Sequence, residues 1–397
     1  MPADAAELDY LLFDPEPFAF PPARLPVMAP LRLGALRWGA DTRSVPAWAA
    51  TGQLYGRARY ALHDAFRLSG VGATGALLAP AYHCRTMIDP ALALGAPVRF
   101  YALDEALRPD LSDVARQLAE ADVPVKAVVA SHFFGLVQDL RELSALCQSR
   151  GVPLVEDCAQ SLPLASPFNE MGKTGTWCVA SPWKFYPCED GGALWSATGE
   201  TLHLPALRPP TIRTELAQLR RMWERSRMRL RGDEKPPLAE ERAASIEEQR
   251  AQSVARRIQG PSREYIPERE AVGCATVSRW IMAHSDTAGI LARRRVNYER
   301  WAEAAKKLPN ARALQSRLGP HDTPYMFPLL IEAADGRFAP LKRAGLPIWR
   351  WDSLAASHCL TATSYRMRLL HLPCHQALTD EELNWMIQTV SGVLRGA

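Results

Sequence analysis

The chain has 397 residues, 47% of them hydrophobic and 23% charged, and a formal charge of only +4, values of a globular protein with a large buried core. No apolar run approaches the roughly eighteen residues of a membrane span, the first ten residues lack a signal peptide's basic and apolar regions, and the charge is too small for a nucleic-acid footprint. The eight cysteines are scattered without a C-x-x-C pair, so neither a zinc nor an iron–sulfur site is expected and thiols reduced in a cytoplasm are. Residues 1–50, rich in proline and alanine, read as an irregular arm. Helical apolar spacing at 57–68 leads into a short strand, ALLAP, at 76–80. Helix 84–94, strand 97–102, helix 112–121, strand 125–131, helix 138–150 and strand 152–157 follow, with strands again at 177–181 and 192–197. Short apolar strands alternating with amphipathic helices imply parallel crossovers, hence an α/β fold whose sheet is covered on both faces.

Beyond Pro210 the pattern changes. Residues 211–231 fit one amphipathic helix, with Leu216, Leu219, Trp223 and Leu230 at helical spacing and arginines at 220, 221, 225, 227, 229 and 231. Two readings are open: a solvated helix packing on its Leu/Trp stripe, or an arginine-lined wall for an anionic group. From 265 the chain is helical, then forms a smaller α+β unit with strands expected at 324–332 and 346–351. Thr379 and Glu382 are spaced as a capping box before a last helix. Arg350, between two tryptophans, reads as part of an alternating strand rather than a carboxylate receptor.

In open parallel sheets the working groups stand where strands end. Here the strand ends carry Tyr82, His132, Asp157 and Ser181. Asp157 closes the strand in VEDCAQS (155–161), and Gln160 follows three residues later. Residues 181–192, SPWKFYPCEDGG, set Lys184 between two aromatic residues, where desolvation would lower an amine's pKa as a Schiff-base lysine requires. The helix start at Gly56-Arg57-Ala58 offers unpaired N–H groups and a positive dipole end to a phosphate. A carboxylate, a dry lysine and a phosphate cradle together describe a pyridoxal-phosphate site.

PAYHC (80–84), SHFFG (131–135), EDCAQS (156–161), the SPWK and DGG segment, and LPCH (372–375) resemble, in order, the DegT/DnrJ/EryC1/StrS family. These are fold-type I pyridoxal-phosphate enzymes, mainly sugar aminotransferases. The resemblance implies a large domain with a mainly parallel sheet covered by helices at 51–264, carrying a basic helical insert at 205–263, and a smaller C-terminal α+β domain at 265–397. It implies that Lys184 binds the cofactor covalently and that Asp157 pairs with the pyridine nitrogen. Gln160 would bond the phenolic oxygen, and Ser181 with the backbone of Gly56 and Arg57 would hold the phosphate. The ring-stacking position falls between Tyr82, the better stacker, and Cys84, favoured by strict register. His132 is either a substrate contact or a structural group. Between serine and lysine the chain is two residues shorter than the family's pattern. An amino-acid donor such as glutamate, a keto acceptor that is anionic if the insert's arginines meet it, and a homodimer are the implied partners; no metal, nucleic acid or membrane is. The alternatives are another fold-type I reaction (decarboxylation, replacement, aldol or condensation chemistry) or a non-catalytic regulatory protein.

Overall fold

The computed structural model describes residues 7–13, 20–32, 34, 36–37, 45–165, 170–228, 253–332 and 337–395. A seven-stranded sheet positions the site. Its strands are β2 (Gln53–Tyr55), β3 (Ala76–Pro80), β4 (Val98–Tyr101), β5 (Val125–Ser131), β6 (Leu154–Cys158), β7 (Trp177–Ala180) and β8 (Gly192–Ser196), in the spatial order β2-β8-β7-β6-β5-β3-β4. The pairings β3–β4, β3–β5, β5–β6 and β6–β7 are parallel, whereas β8 runs antiparallel to both β7 and β2. Helices α1 (Ala58–Leu68), α2 (Arg85–Ala93), α3 (Leu111–Ala119) and α4 (Arg141–Ser149) cross between strands. Strands β3 and β6 are buried at every position, because helices cover both faces of a parallel sheet. Helix α1 buries Ala58, Ala61, Leu62, Ala65 and Phe66, one face at the 3.6-residue period.

Gly192 lets α1 begin where it does. A Cβ on Gly192 would stand 2.3 Å from the Arg57 carbonyl carbon and 2.4 Å from the Ala58 nitrogen, so only glycine admits the helix start against β8. The Gly191 N–H donates to the Gly56 carbonyl at 3.0 Å and closes the same contact.

The arm contains a strand, β1 (Glu7–Phe13), where irregular chain was expected. It pairs antiparallel with β9 (Ser253–Gln259), from the end of the insert, and with β12 (Leu354–Ala355). The smaller sheet consists of β10 (Ala311–Ala313), β11 (Met326–Ile331) and β13 (Leu369–Pro373), all antiparallel. Residues 346–351 contribute a single bridge, Trp349 to His371, rather than the expected strand; Pro347 lacks the N–H a ladder needs. Arg350 lies buried between the rings of Phe13 and Phe338, donating to the Met367 carbonyl and to Asp352, which is no alternating surface strand. Helix α6 (Thr276–His284) leads into this unit, followed by α7 (Thr287–Ala305), α8 (Phe338–Arg343), α9 (Leu360–Arg368) and α10 (Asp380–Arg395). The capping box forms as spaced: the Thr379 N–H donates to Glu382 Oε2 at 2.9 Å and the Glu382 N–H to Thr379 Oγ1 at 3.1 Å.

Helix α5 (Ile212–Ser226) overturns the expected packing of the insert. Ile212, Leu216, Leu219 and Trp223 face outward, between 46% and 79% exposed. The buried side carries Gln218 and Met222. Gln218 donates to Asp190 Oδ2 at 2.7 Å, Arg221 and Arg225 pair with Glu189, and Glu215 accepts the N–H groups of Thr276 and Val277 at the start of α6. The acidic turn before the glycine pair needs counter-charges, and α5 supplies them from its polar face. Arg220 pairs with Glu224, and Arg227 stacks on Trp223. Arg229, Leu230 and Arg231 lie outside the described residues. Among the described residues no helix is long and apolar enough to cross a membrane.

Candidate active site

A cleft opens at the C-terminal ends of β5, β6 and β7. Arg57, Arg59, Cys84, Ser131, Asp157, Gln160, Ser181, Trp183, Lys184 and Trp351 are among the residues lining it. Each strand delivers its group at the point where pairing stops, so the sheet fixes the backbone beneath every one of them.

Asp157 is 5% exposed. Its Oδ1 accepts the Ala159 N–H at 2.8 Å and its Oδ2 the Ser131 hydroxyl at 3.1 Å, which orients the carboxyl into the cleft. Burial pushes its pKa above the ordinary carboxylate value, opposed by the Ala159 bond and by the charge of Lys184. Burial also lowers the pKa of Lys184, while Cys84 and Asp157 hold it up. The Lys184 Nζ stands 5.2 Å from the centre of the Tyr325 ring, and among the described residues nothing hydrogen-bonds it. This is an amine held dry, on which a free electron pair is available nearer neutrality than on a solvated lysine.

The short serine-to-lysine spacing has a simple geometry. Pro182–Lys184 form one 3-10 turn, and the Lys184 N–H donates to the Ser181 carbonyl at 3.0 Å. One turn therefore presents both side chains to the cleft. Opposite it, α1 begins with no side-chain cap and no acidic residue in its first turn. Arg57 stacks on Trp183 at 4.4 Å, and its Nη1 is buried without a hydrogen-bond partner among the described residues. An orphaned buried guanidinium nitrogen beside an uncapped helix start asks for an anion. Gln160 Oε1 accepts the Phe134 N–H at 2.6 Å, and among the described residues its amide NH2 donates to none.

Of the remaining expected residues only Cys84 lines the cleft. Gly56 borders the neighbouring groove between α1 and α5, whose wall also carries Arg208, Arg213, Arg221 and Arg269. Tyr82 does not line the cleft: its hydroxyl pairs with His371 Nε2 at 3.0 Å, and its ring lies 5.0 Å from that of Trp351, which it backs. Cys84, at the start of α2, is the residue of that segment on the cleft wall. His132 also stands off the wall. Its Nδ1 accepts the Gln138 N–H at 3.0 Å, so its proton sits on Nε2 and is donated to Glu156 at 2.9 Å. Glu156 takes further bonds from the N–H groups of Gly172, Thr174 and Gly175. Burial pushes the Glu156 carboxyl up, but the His132 and backbone bonds outweigh it and hold the pKa below the usual value. This network ties the 172–175 loop behind β6 and has the form of a fastening. Trp351 is, with Arg59, Ser131 and Trp183, one of the cleft residues the sequence did not indicate. It arrives from the smaller unit, and its signal in the sequence was an aromatic at the end of the run of four large residues IWRW.

Residues 57–206 match the model of the DegT/DnrJ/EryC1/StrS aminotransferase family. GDP-perosamine synthase of Vibrio cholerae is 28% identical over 116 residues, which are 29% of this chain and 31% of that enzyme. Among solved structures, the aminotransferase TlmJ from Streptoalloteichus hindustanus has a TM-score of 0.58 at 22% identity, over 88% of this chain and 87% of that one. NtdA from Bacillus subtilis, with bound cofactor PMP, has a TM-score of 0.57 at 12% identity, over 87% and 73%. The family resemblance of the motifs is thus a match across the segment that carries Asp157 and Lys184. The structural likeness extends a fold-type I architecture, with the small unit included, over most of the chain.

Proposed function

We propose that this chain is a pyridoxal-phosphate-dependent aminotransferase. It moves an amino group from an amino-acid donor, most simply glutamate, to the carbonyl of a keto acceptor. The observation that carries the reading is the convergence of Lys184, Asp157, Ser181 and Arg57 on one cleft. The cleft fits the cofactor group by group. An orphaned guanidinium nitrogen and a bare helix start suit a phosphate, a dry amine suits an aldehyde, and a buried carboxylate suits a ring nitrogen. When bound, pyridoxal phosphate supplies an aldehyde carbon for the lysine and a protonated ring that takes up the electrons of a broken C–H bond.

The chain's own groups then have separable tasks. Asp157 keeps a proton on the ring nitrogen by its charge. Lys184, freed by the donor, holds and returns the proton removed from the donor's α-carbon; acid–base work of this kind contributes about 10²–10⁴-fold. Ser181 and the Arg57–Ala58 N–H groups hold the phosphate. Gln160, with its amide NH2 uncommitted, donates to the phenolic oxygen. Cys84 and Trp351 flank the ring space, and the buried faces around them exclude water.

The acceptor class is a keto-sugar, the reading that the likeness to GDP-perosamine synthase favours. A division at about residue 264 would separate the seven-stranded sheet from the sheet of β10, β11 and β13, while the third sheet, β12-β1-β9, joins strands from both sides of it. The exposed stripe of α5 is the face a second copy would cover in a homodimer. Borohydride reduction of the protein loaded with pyridoxal phosphate, followed by peptide mass mapping, tests the residue assignment. The account requires the adduct on Lys184; an adduct on any other lysine overturns it.

A further inference from the structure

Arg294 is fully buried and has no carboxylate partner among the described residues. Such a cation is costly unless every donor finds an acceptor. Here the acceptors are neutral oxygens. Nε donates to Gln376 Oε1 at 2.8 Å, Nη1 to the carbonyls of Tyr325 at 3.1 Å and Pro324 at 3.3 Å, and Nη2 to the carbonyl of Lys184 at 2.8 Å. The guanidinium also lies 4.7 Å from the ring of Phe185. Gln376 completes the arrangement by donating to the Phe185 carbonyl at 2.7 Å.

The support for Arg294 is equally specific. Along α7, Arg294, Asn297 and Trp301 fall on one face, three and then four residues apart. Trp301 Nε1 donates to the Pro373 carbonyl at 3.0 Å, and Asn297 Nδ2 to the His375 carbonyl at 3.0 Å. Three side chains of one helix thus grip the chain leaving β13, the LPCH segment, and the first of them reaches on to the lysine. One planar fork holds the backbone of Lys184 and the backbone of Tyr325, the ring over which the Lys184 Nζ stands.

We infer that Arg294, seconded by Gln376, is a positioning residue for Lys184: by bridging the Lys184 and Tyr325 carbonyls it fixes the amine against the Tyr325 ring, away from water. The smaller sheet and α7 thereby set the reactivity of a lysine that the large sheet carries. The inference rests on the reading of Lys184 as the reactive amine. It predicts that loosening the bridge hydrates the amine and returns its pKa toward the ordinary lysine value.

The test measures Lys184 in the cofactor-free protein. Acetic anhydride labelling at a series of pH values, read by peptide mass spectrometry, gives the titration of that one amine. Wild type is compared with Arg294→Gln, Arg294→Lys and Gln376→Met, each first shown by urea unfolding to retain a cooperative fold. Removing a cation would by itself raise a neighbouring lysine's pKa, so Arg294→Lys is the decisive variant: it keeps the charge and loses the fork. The Lys184 titration is expected to move upward in Arg294→Lys and in the charge-neutral Gln376→Met. In both, the visible band formed with pyridoxal phosphate is expected to appear at least about tenfold more slowly, the loss of one hydrogen bond to a charged group. Folded variants with the wild-type titration would overturn the inference. A wild-type protein that labels at a depressed pKa but forms no visible band would refute the cofactor reading and leave the positioning role standing.

Discussion

Replacing Asp157 by asparagine separates the charge of the site from its shape. The side chains are nearly isosteric, and among the described residues Asp157 accepts two bonds, from the Ala159 N–H and the Ser131 hydroxyl. An asparagine oxygen can keep the first. The serine hydroxyl can turn to accept from the new amide, so the fold should lose no more than about 1 kcal/mol. The missing charge matters far more. A unit charge about 4 Å from its partner, at an effective dielectric of about 20, is worth about 4 kcal/mol, or nearly a thousandfold in rate. Asp157→Asn is therefore expected to bind pyridoxal phosphate and unfold close to the wild-type urea midpoint, while its single-turnover reaction with glutamate slows by about 10²–10³-fold. Stopped-flow absorbance reads that rate directly. A variant that turns over within threefold of wild type would refute the role given to the carboxylate.

Glu156→Gln tests the fastening behind the site. It leaves at least one buried donor among His132, Gly172, Thr174 and Gly175 unsatisfied, and about 3–5 kcal/mol of stability should be lost in urea unfolding. Stability should also fall in mild acid. Burial lowers the pKa of His83 to about 4 and of His371 and His375 to about 3, so the unfolded chain takes up protons that the folded one refuses. Their contribution is complete above the ordinary histidine value of about 6.5 and is lost as pH falls below it, by up to about 1.4 kcal/mol per pH unit for each histidine. Unfolding midpoints flat from pH 7 to pH 5 would contradict this. Trp223→Asp, on the outward face of α5, should convert a dimer into a monomer by sedimentation and leave the single chain folded; a monomeric wild type or an unaffected dimer would remove that face from the interface.

The parallel sheet was legible because doubly covered strands are near-continuous apolar runs, as in ALLAP and VKAVVAS, and these alternate with amphipathic helices. The polar residue that ends each run marked the site's location for the same reason. Orientation was harder. Tyr82 offered the ring for stacking and Cys84 the register; the turn after β3 directs Tyr82 onto Trp351 and leaves Cys84 on the cleft wall. The apolar spacing of α5 identified a face correctly without saying what covers it, and local periodicity carries no information on that point. Helix α5 docks through Gln218 and two arginines because the Glu189–Asp190 turn, distant in sequence, is buried and negative. Trp351 reaches the cleft, and Arg294 the Lys184 carbonyl, from more than a hundred residues along the chain, so no local window could have assigned them.

The central claim is that Lys184 and Asp157 run amino transfer on pyridoxal phosphate. An absorbance spectrum of the purified protein with pyridoxal phosphate, before and after glutamate, tests it most directly, with Lys184→Ala alongside. The account predicts a visible band in the wild type that glutamate bleaches, and no such band in Lys184→Ala. A wild-type protein without the band, or a Lys184→Ala protein that shows it and still responds to glutamate, would contradict the claim.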